Sequence, residues 1–238
     1  MVETPSTLDD DVRVFVYRFM VDNERPPMPI EIGTALGTGS AEVEAALKRL
    51  AEAHVLVLAP GTPYIWLAAP LSGLPSPFPV TVAGGVQYYG ICIWDALGVI
   101  AMLGDEGHVT SLCPDCGEEL TLRVRDGEIE PRDYVVHYAI PAAHWWDDIG
   151  YNCSKMLLFL SEEHRDAWLA ARGLRQGATL SVVKQWDLAR VWYGEQRGAG
   201  SAGPYNRMSP DWRRRTPDEA KAVFDSLGLT GPFWNLSG

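Results

Sequence analysis

The sequence predicts an α+β fold built from a helical N-terminal unit and a second unit of short strands with interspersed helices. Three observations carry this. Apolar residues recur at helical spacing through residues 7–58. A Pro/Gly/Ser-rich stretch, PLSGLPSPFP at residues 70–79, interrupts all periodicity. Beyond it, short β-branched runs bounded by turn residues alternate with helical runs. The expected division is therefore an N-terminal domain at 1–70, a linker at 71–79, a mixed-sheet core with flanking helices at 80–196, and a C-terminal extension at 197–238.

In the first unit Leu8, Val12, Phe15, Val16 and Phe19 mark a helix behind a Thr7 cap. Pro26, Pro27 and Pro29 lead into a short helix at 30–36. A third helix starts with Ser40 as its cap and aligns Val43, Ala46, Leu47 and Leu50 on one face. Strands at 55–58 and 64–67 then flank Pro60-Gly61 as a β-wing. Three helices and a wing make a winged-helix-like pattern, whose usual task is DNA binding. Glu42, Glu44 and Glu52 outweigh Lys48 and Arg49 on the third helix, so the module reads as a structural or dimerising cap.

In the second unit strands are expected at 80–83 and 87–93, followed by a helix at 94–103. Further strands fall near 109–111, 119–124 and 134–139, with Asp126-Gly127 as a hairpin turn. A short element at 144–149, a strand at 156–160 and a helix at 161–172 follow. Residues 180–192 read as strand passing into helix. Gly198, Gly200 and Gly203 match the spacing of a dinucleotide fingerprint, but Pro204 prevents the crossover helix that motif needs, and the stretch reads as a flexible connection. Thr216, Pro217 and Glu219 form a capping box for a last helix that Gly228 stops. Trp212, Phe224, Phe233 and Trp234 are too apolar to be left in water together, so the tail is expected to dock on the second unit and to cover its pocket.

Composition narrows the function. Apolar residues make up 47% and charged residues 21% of the 238, which is globular rather than disordered. Twenty Lys+Arg against 31 Asp+Glu give a net charge of −11, the wrong sign for a protein that neutralises phosphates. No nucleic-acid partner is expected. The longest apolar run, 86–103, is broken by Asp95 and glycines, so no membrane partner is expected either. The N-terminal residues are acidic where an export signal would be basic, which points to a cytoplasmic location. Four cysteines in such a chain read as ligands, nucleophiles or core residues before disulfides.

Cys92 and Asp95 stand three apart where a strand turns into a helix, a spacing that puts both side chains on one face. The helix N-terminus favours a thiolate and a carboxylate alike. The same spacing also describes a buried apolar cysteine and a capping aspartate. Cys153 precedes an apolar strand and reads equally as core. Cys113-Pro-Asp-Cys116-Gly117 is half a zinc knuckle or a redox pair, without a second CxxC to complete it. Missing ligands for a structural zinc would have to come from Cys92, Cys153, His108, His137 or His144. His164, in a charged helical run, reads as solvated surface.

Together these residues carry a family resemblance. Gln87-Tyr-Tyr-Gly-Ile-Cys92-Ile-Trp-Asp95-Ala-Leu, then Val109-Thr-Ser-Leu-Cys113, then Asn152-Cys153-Ser, with Phe159 and Trp168 downstream, resemble the organomercurial (alkylmercury) lyases. The resemblance implies that Cys92, Asp95 and Cys153 are catalytic and that Cys113 is structural. It implies carbon–mercury cleavage by protonolysis with no organic cofactor, on an organomercurial or related small molecule. Hg(II) would leave on small or protein thiols after being held by Cys92 and Cys153 with Asp95 lending an oxygen. Three features depart from the family pattern: Ser154 stands where a second adjacent cysteine often occurs, Cys116 completes a CxxC, and the tail extends past the usual length. A non-cleaving thiolate protein for Zn, Cu or Hg, or a relative with a different substrate, is the competing reading. Trp94, Phe159 and Leu97 are expected to wall a dry pocket around the trio.

Overall fold

The computed structural model describes residues 7–104, 106–194 and 205–236. The connection expected at 197–204, with its glycine spacing, lies outside the described residues.

Helix α1 (Thr7–Asn23) turns Val12, Val16, Tyr17 and Met20 inward, an i, i+4 pattern that places all four on one stripe. Helix α2 (Pro29–Leu36) ends at Gly37 in the left-handed region (φ 65). Helix α3 (Ser40–Glu52) buries Val43, Ala46, Leu47 and Leu50 against α1. Its N-cap is Gly39, not Ser40, because the Glu42 carboxylate accepts the Gly39 amide at 3.2 Å and closes the first turn. Arg49 reaches back to Asp9 with two donors, at 3.0 and 2.6 Å, pinning α3 to α1.

Strands β1 (Val57–Leu58), β2 (Ile65–Ala68) and β3 (Leu71–Ser72) form an antiparallel sheet in that order. Strand β3 falls within the expected linker. Residues 71–79 are a packed seam and not a tether, because Leu71 and Phe78 are buried and the Gly90 amide donates to the Phe78 carbonyl at 3.1 Å. A single hydrophobic core runs from Val12 to Trp234 across this seam.

The second sheet holds β4 (Pro79–Val82), β5 (Gln87–Tyr89), β6 (Gly107–Leu112), β7 (Glu119–Arg125) and β8 (Glu128–Ile129), in the order β5-β4-β6-β7-β8. Along β7, Leu120, Leu122 and Val124 are buried while Glu119, Arg123 and Arg125 are exposed, the period-2 signature of a one-sided strand. Asp126 (φ 51) and Gly127 (φ 78) make the hairpin turn, as expected, but join β7 to β8. The strand expected at 134–139 is β9 (Val135–Tyr138), which lies in a third sheet between β10 (Met156–Phe159) and β11 (Ala178–Ser181).

Every described strand pairing is antiparallel, where a mixed sheet was expected. The reason lies in the third sheet. Helix α6 (Glu162–Ala171) returns the chain so that β10 and β11 run the same way, but β9 sits between them and pairs antiparallel with both.

Helix α4 (Ile93–Leu103) is almost wholly buried. Helix α7 (Val182–Tyr193) packs along it and grows directly out of β11 through the Ser181 cap. In the tail, α8 (Pro217–Ser226) carries the expected Thr216/Glu219 capping box and stops at Gly228 (φ 71). Its Phe224 stacks on Trp192 with centroids 6.0 Å apart, and Trp234 meets Tyr138 and Trp145 edge-on at 5.4 and 5.8 Å. The tail also reaches the first unit: Arg13 of α1 donates to the Ser209 carbonyl at 2.9 Å and lies 5.1 Å over the Trp212 ring. Docking is thus on both units, not on the second alone.

Candidate functional site

Strand β5 ends at Tyr89, earlier than the alternation implied. A Cβ on Gly90 would lie 2.2 Å from the Ala96 amide nitrogen, so the chain there passes against the first turn of α4 as only glycine permits. That approach makes Cys92 the extended N-cap of α4 and places Asp95 in its first turn. Cys153 closes the short helix α5 (Ile149–Cys153), whose start is fixed by Asp148 accepting the Tyr151 amide at 2.8 Å.

These three side chains converge. Asp95 Oδ2 lies 3.3 Å from Cys92 Sγ and 3.6 Å from Cys153 Sγ, and the two sulfurs and the carboxylate fall within 4.8 Å of one another. Both thiols are free. All three residues are buried, Cys92 at 1% exposure and Cys153 at 7%. Two further residues complete the arrangement and had no sequence signal. Tyr193, at the end of α7, donates its hydroxyl to Asp95 Oδ1 at 2.8 Å. Met156, heading β10, brings its sulfur within 3.7 Å of Cys92.

Burial sets the electrostatics. It pushes the Cys92 thiol well up, and holds the Asp95 carboxyl above the usual carboxylate range against the hydrogen bonds from Tyr193 and both thiols. The hydrogen bond from Cys92 pulls Cys153 down, but burial and the Asp95 charge together leave it raised. The site therefore holds two protonated thiols around a carboxyl whose ionised form is disfavoured. A proton donor and a soft-metal ligand pair occupy the same few ångströms.

A cavity of about 430 Å³ opens onto the trio. Its walls are Trp94, Trp145, Trp146 and Trp192 from the body, with Tyr205, Arg207, Trp212, Arg213, Arg214 and Arg215 from the tail. Of the expected walls only Trp94 lines it. Leu97 and Phe159 are buried behind it, Phe159 packed edge-on with Trp168 and His137. Among the described residues Asp95 is the one carboxylate in the lining, against four arginines. Arg207 donates to the Tyr17 hydroxyl at 3.1 Å, and its charge reaches Asp95.

The CxxC lies elsewhere. Cys113 is buried just past β6 and Cys116 is exposed. Burial raises the Cys113 thiol, but backbone amides of Cys116, Leu160 and Asp115 outweigh it and hold the group below its ordinary value. None of the ligands anticipated for this pair is beside it. Cys92 and Cys153 belong to the other cluster, His144 pairs with Asp147 at 2.9 Å, and His137 is buried in β9, where burial lowers its pKa. His164, read from the sequence as solvated, is the side chain that meets Cys113 and Cys116, because the N-terminus of α6 packs over the knuckle.

Among the described residues no helix is long and apolar enough to cross a membrane. No curated protein matches the sequence. A solved structure, the crystal structure of the mercury-bound form of MerB2, shares the fold with a TM-score of 0.59 at 19% identity. The match covers 79% of this chain and 95% of that one. The family model for the alkylmercury lyases (MerB) matches residues 71–194, just over half of the sequence. That span contains β3 to α7 and with them Cys92, Asp95, Cys153, Met156 and Tyr193, and the chain belongs to the alkylmercury lyase family.

Proposed function

We propose that this protein cleaves carbon–mercury bonds by protonolysis, releasing a hydrocarbon and leaving Hg(II) on Cys92 and Cys153. The observation that carries the reading is a carboxylate oxygen within hydrogen-bond reach of both sulfurs in the wall of a deep cavity.

Cys153 is the more accessible thiol and meets the substrate first. It displaces the thiol or halide already on R–Hg⁺ and gives up its proton to solvent or to the leaving ligand, forming Cys153–S–Hg–R. Cys92 then approaches mercury as its proton passes to Asp95 Oδ2, 3.3 Å away. A second thiolate on mercury pushes electron density onto the carbon, and Asp95 hands it the proton. The C–Hg bond breaks with its electron pair on carbon, giving R–H and Cys153–S–Hg–S–Cys92, so atoms and charge balance. Thiolates outcompete oxygen and nitrogen for this soft ion, which is why two cysteines are needed. Tyr193 fixes the other carboxylate oxygen and keeps Oδ2 aimed at the sulfurs. Two external thiols then remove Hg(II) and reprotonate the pair.

Arg207 and Arg214 with the tryptophan walls favour substrates that carry an anionic group on an apolar frame, Arg213 being already forked onto Glu219. The test is to incubate the purified protein with an organomercurial and excess small thiol and follow hydrocarbon release. Many turnovers per chain are expected. Mercury uptake with no hydrocarbon would leave a binding protein and overturn the reading.

A further inference from the structure

The geometry points to a second metal centre, a structural Zn(II) site formed by Cys113, Cys116 and His164 and separate from the mercury pocket. The ligand atoms of the three residues already lie within 4.8 Å of one another. Zinc held tetrahedrally at roughly 2.3 Å from sulfur and 2.0–2.1 Å from nitrogen needs ligand pairs about 3.5–3.8 Å apart, so the three atoms would draw together by roughly 1 Å on binding.

The chain around the cysteines is built to present sulfur. The Cys113 amide donates to the Glu118 carbonyl at 2.8 Å, and the Gly117 amide returns to the Cys113 carbonyl at 2.9 Å. Gly117 takes φ 76, which a side chain would resist. Backbone amides of Cys116, Leu160 and Asp115 point at the Cys113 sulfur. Such amide donors are what a metal-bound thiolate requires when it is buried.

The third ligand comes from a different element. His164 sits in the first turn of α6, whose Ser161 cap accepts the His164 amide. Its Nδ1 is 2.8 Å from Asp115 Oδ2, within the CxxC turn itself. A carboxylate that accepts a hydrogen bond from Nδ1–H sets the tautomer and leaves Nε2 with a lone pair, the usual support for a metal-binding imidazole. Two thiolates and an imidazole suit Zn(II) and not the hard cations Mg²⁺ or Ca²⁺. Zn(II) takes four ligands in a tetrahedron, so a water would occupy the position these three side chains leave.

The site clamps α6 to the β6–β7 connection. It lies beyond the far end of β10 from Met156, about 13 Å along the strand at roughly 3.3 Å per residue. Mercury chemistry and zinc binding are thus independent, and failure of one leaves the other standing.

The experiment uses full-length reduced protein carrying Cys92→Ser and Cys153→Ser, so that the pocket offers no thiol. One zinc per chain is expected after loading and dialysis, and Co(II) in its place should give a thiolate-to-cobalt charge-transfer band. Adding Cys116→Ser, at an exposed position, should remove the band and the zinc. Adding His164→Ala should weaken zinc at least tenfold. In the otherwise wild-type chain, Cys116→Ser should keep hydrocarbon release and lower the thermal midpoint only when zinc is present. No zinc uptake, zinc retained by both added variants, or a Cys113–Cys116 disulfide that forms in preference to metal binding under a thiol buffer would overturn the assignment.

Discussion

Replacing Tyr193 with Phe removes one hydroxyl and leaves the ring that packs against Gly98 and, at 6.2 Å, Trp94. What is lost is the 2.8 Å bond to Asp95 Oδ1 in a buried site. A hydrogen bond to a charged group contributes about 1.5–3 kcal/mol, or roughly tenfold to 150-fold in an equilibrium constant. The bond favours the ionised carboxylate, and burial opposes it, so its loss moves Asp95 further above its ordinary range. A carboxyl raised in the folded state keeps its full contribution below the unfolded value and loses it as pH climbs through the folded one. In acid, where Asp95 is protonated in both proteins, Tyr193→Phe should therefore match wild type closely. The deficit should grow with pH and reach about 1.5–3 kcal/mol once wild-type Asp95 is ionised. Urea unfolding followed over a pH series from acid to alkaline measures it, and the pH profile of hydrocarbon release should move upward in parallel. A deficit that stays the same across the series, or an unmoved rate profile, would refute the claim that Tyr193 acts through Asp95 ionisation.

Gly98→Ala puts a Cβ 2.4 Å from the Tyr193 ring; overpacking of this kind costs about 1–3 kcal/mol, and release should fall with it, so a fully stable and active variant would refute the coupling of α4 to α7. Phe224→Ala removes a side chain with no exposed surface from between Trp145, Trp192 and Trp234; urea unfolding should show a loss of about 3–5 kcal/mol, and an unchanged midpoint would show that the tail does not hold the body together. Asp95→Asn should still bind mercury through both thiols but release no hydrocarbon; retained turnover would remove Asp95 from the proton path. An arylmercurial bearing a carboxylate should show a higher kcat/KM than its neutral counterpart, and Arg214→Gln or added salt should narrow the gap; equal values throughout would show that the arginine wall does not select charge.

Local sequence determined the elements and the identity of the reacting groups. Val43, Ala46, Leu47 and Leu50 specify a helix face, Leu120, Leu122 and Val124 a strand face, and Thr216 with Glu219 a helix start, because each depends on neighbours within one turn or one pleat. Cys92 and Asp95 are three residues apart, so their pairing on one helix turn was legible, and the soft-metal preference of thiolate follows from residue type alone. Everything that depended on residues distant in sequence needed the fold. Whether Cys153 faces Cys92 rests on β10, α5 and α4 meeting, and 58 positions separate it from Asp95. Tyr193, 98 positions from Asp95, has no motif to announce it, since its hydroxyl matters only because α7 lies along α4. His164 looked solvated because its sequence neighbours are charged; packing of α6 over the CxxC turn is what gives it Asp115 and two sulfurs. The same holds for the sheets. Period and turn residues show that a strand exists, but the position of β9 between β10 and β11 is a long-range choice made by burying Val136, Tyr138, Leu158 and Leu180 on one face, and that choice turned an expected mixed sheet into an antiparallel one.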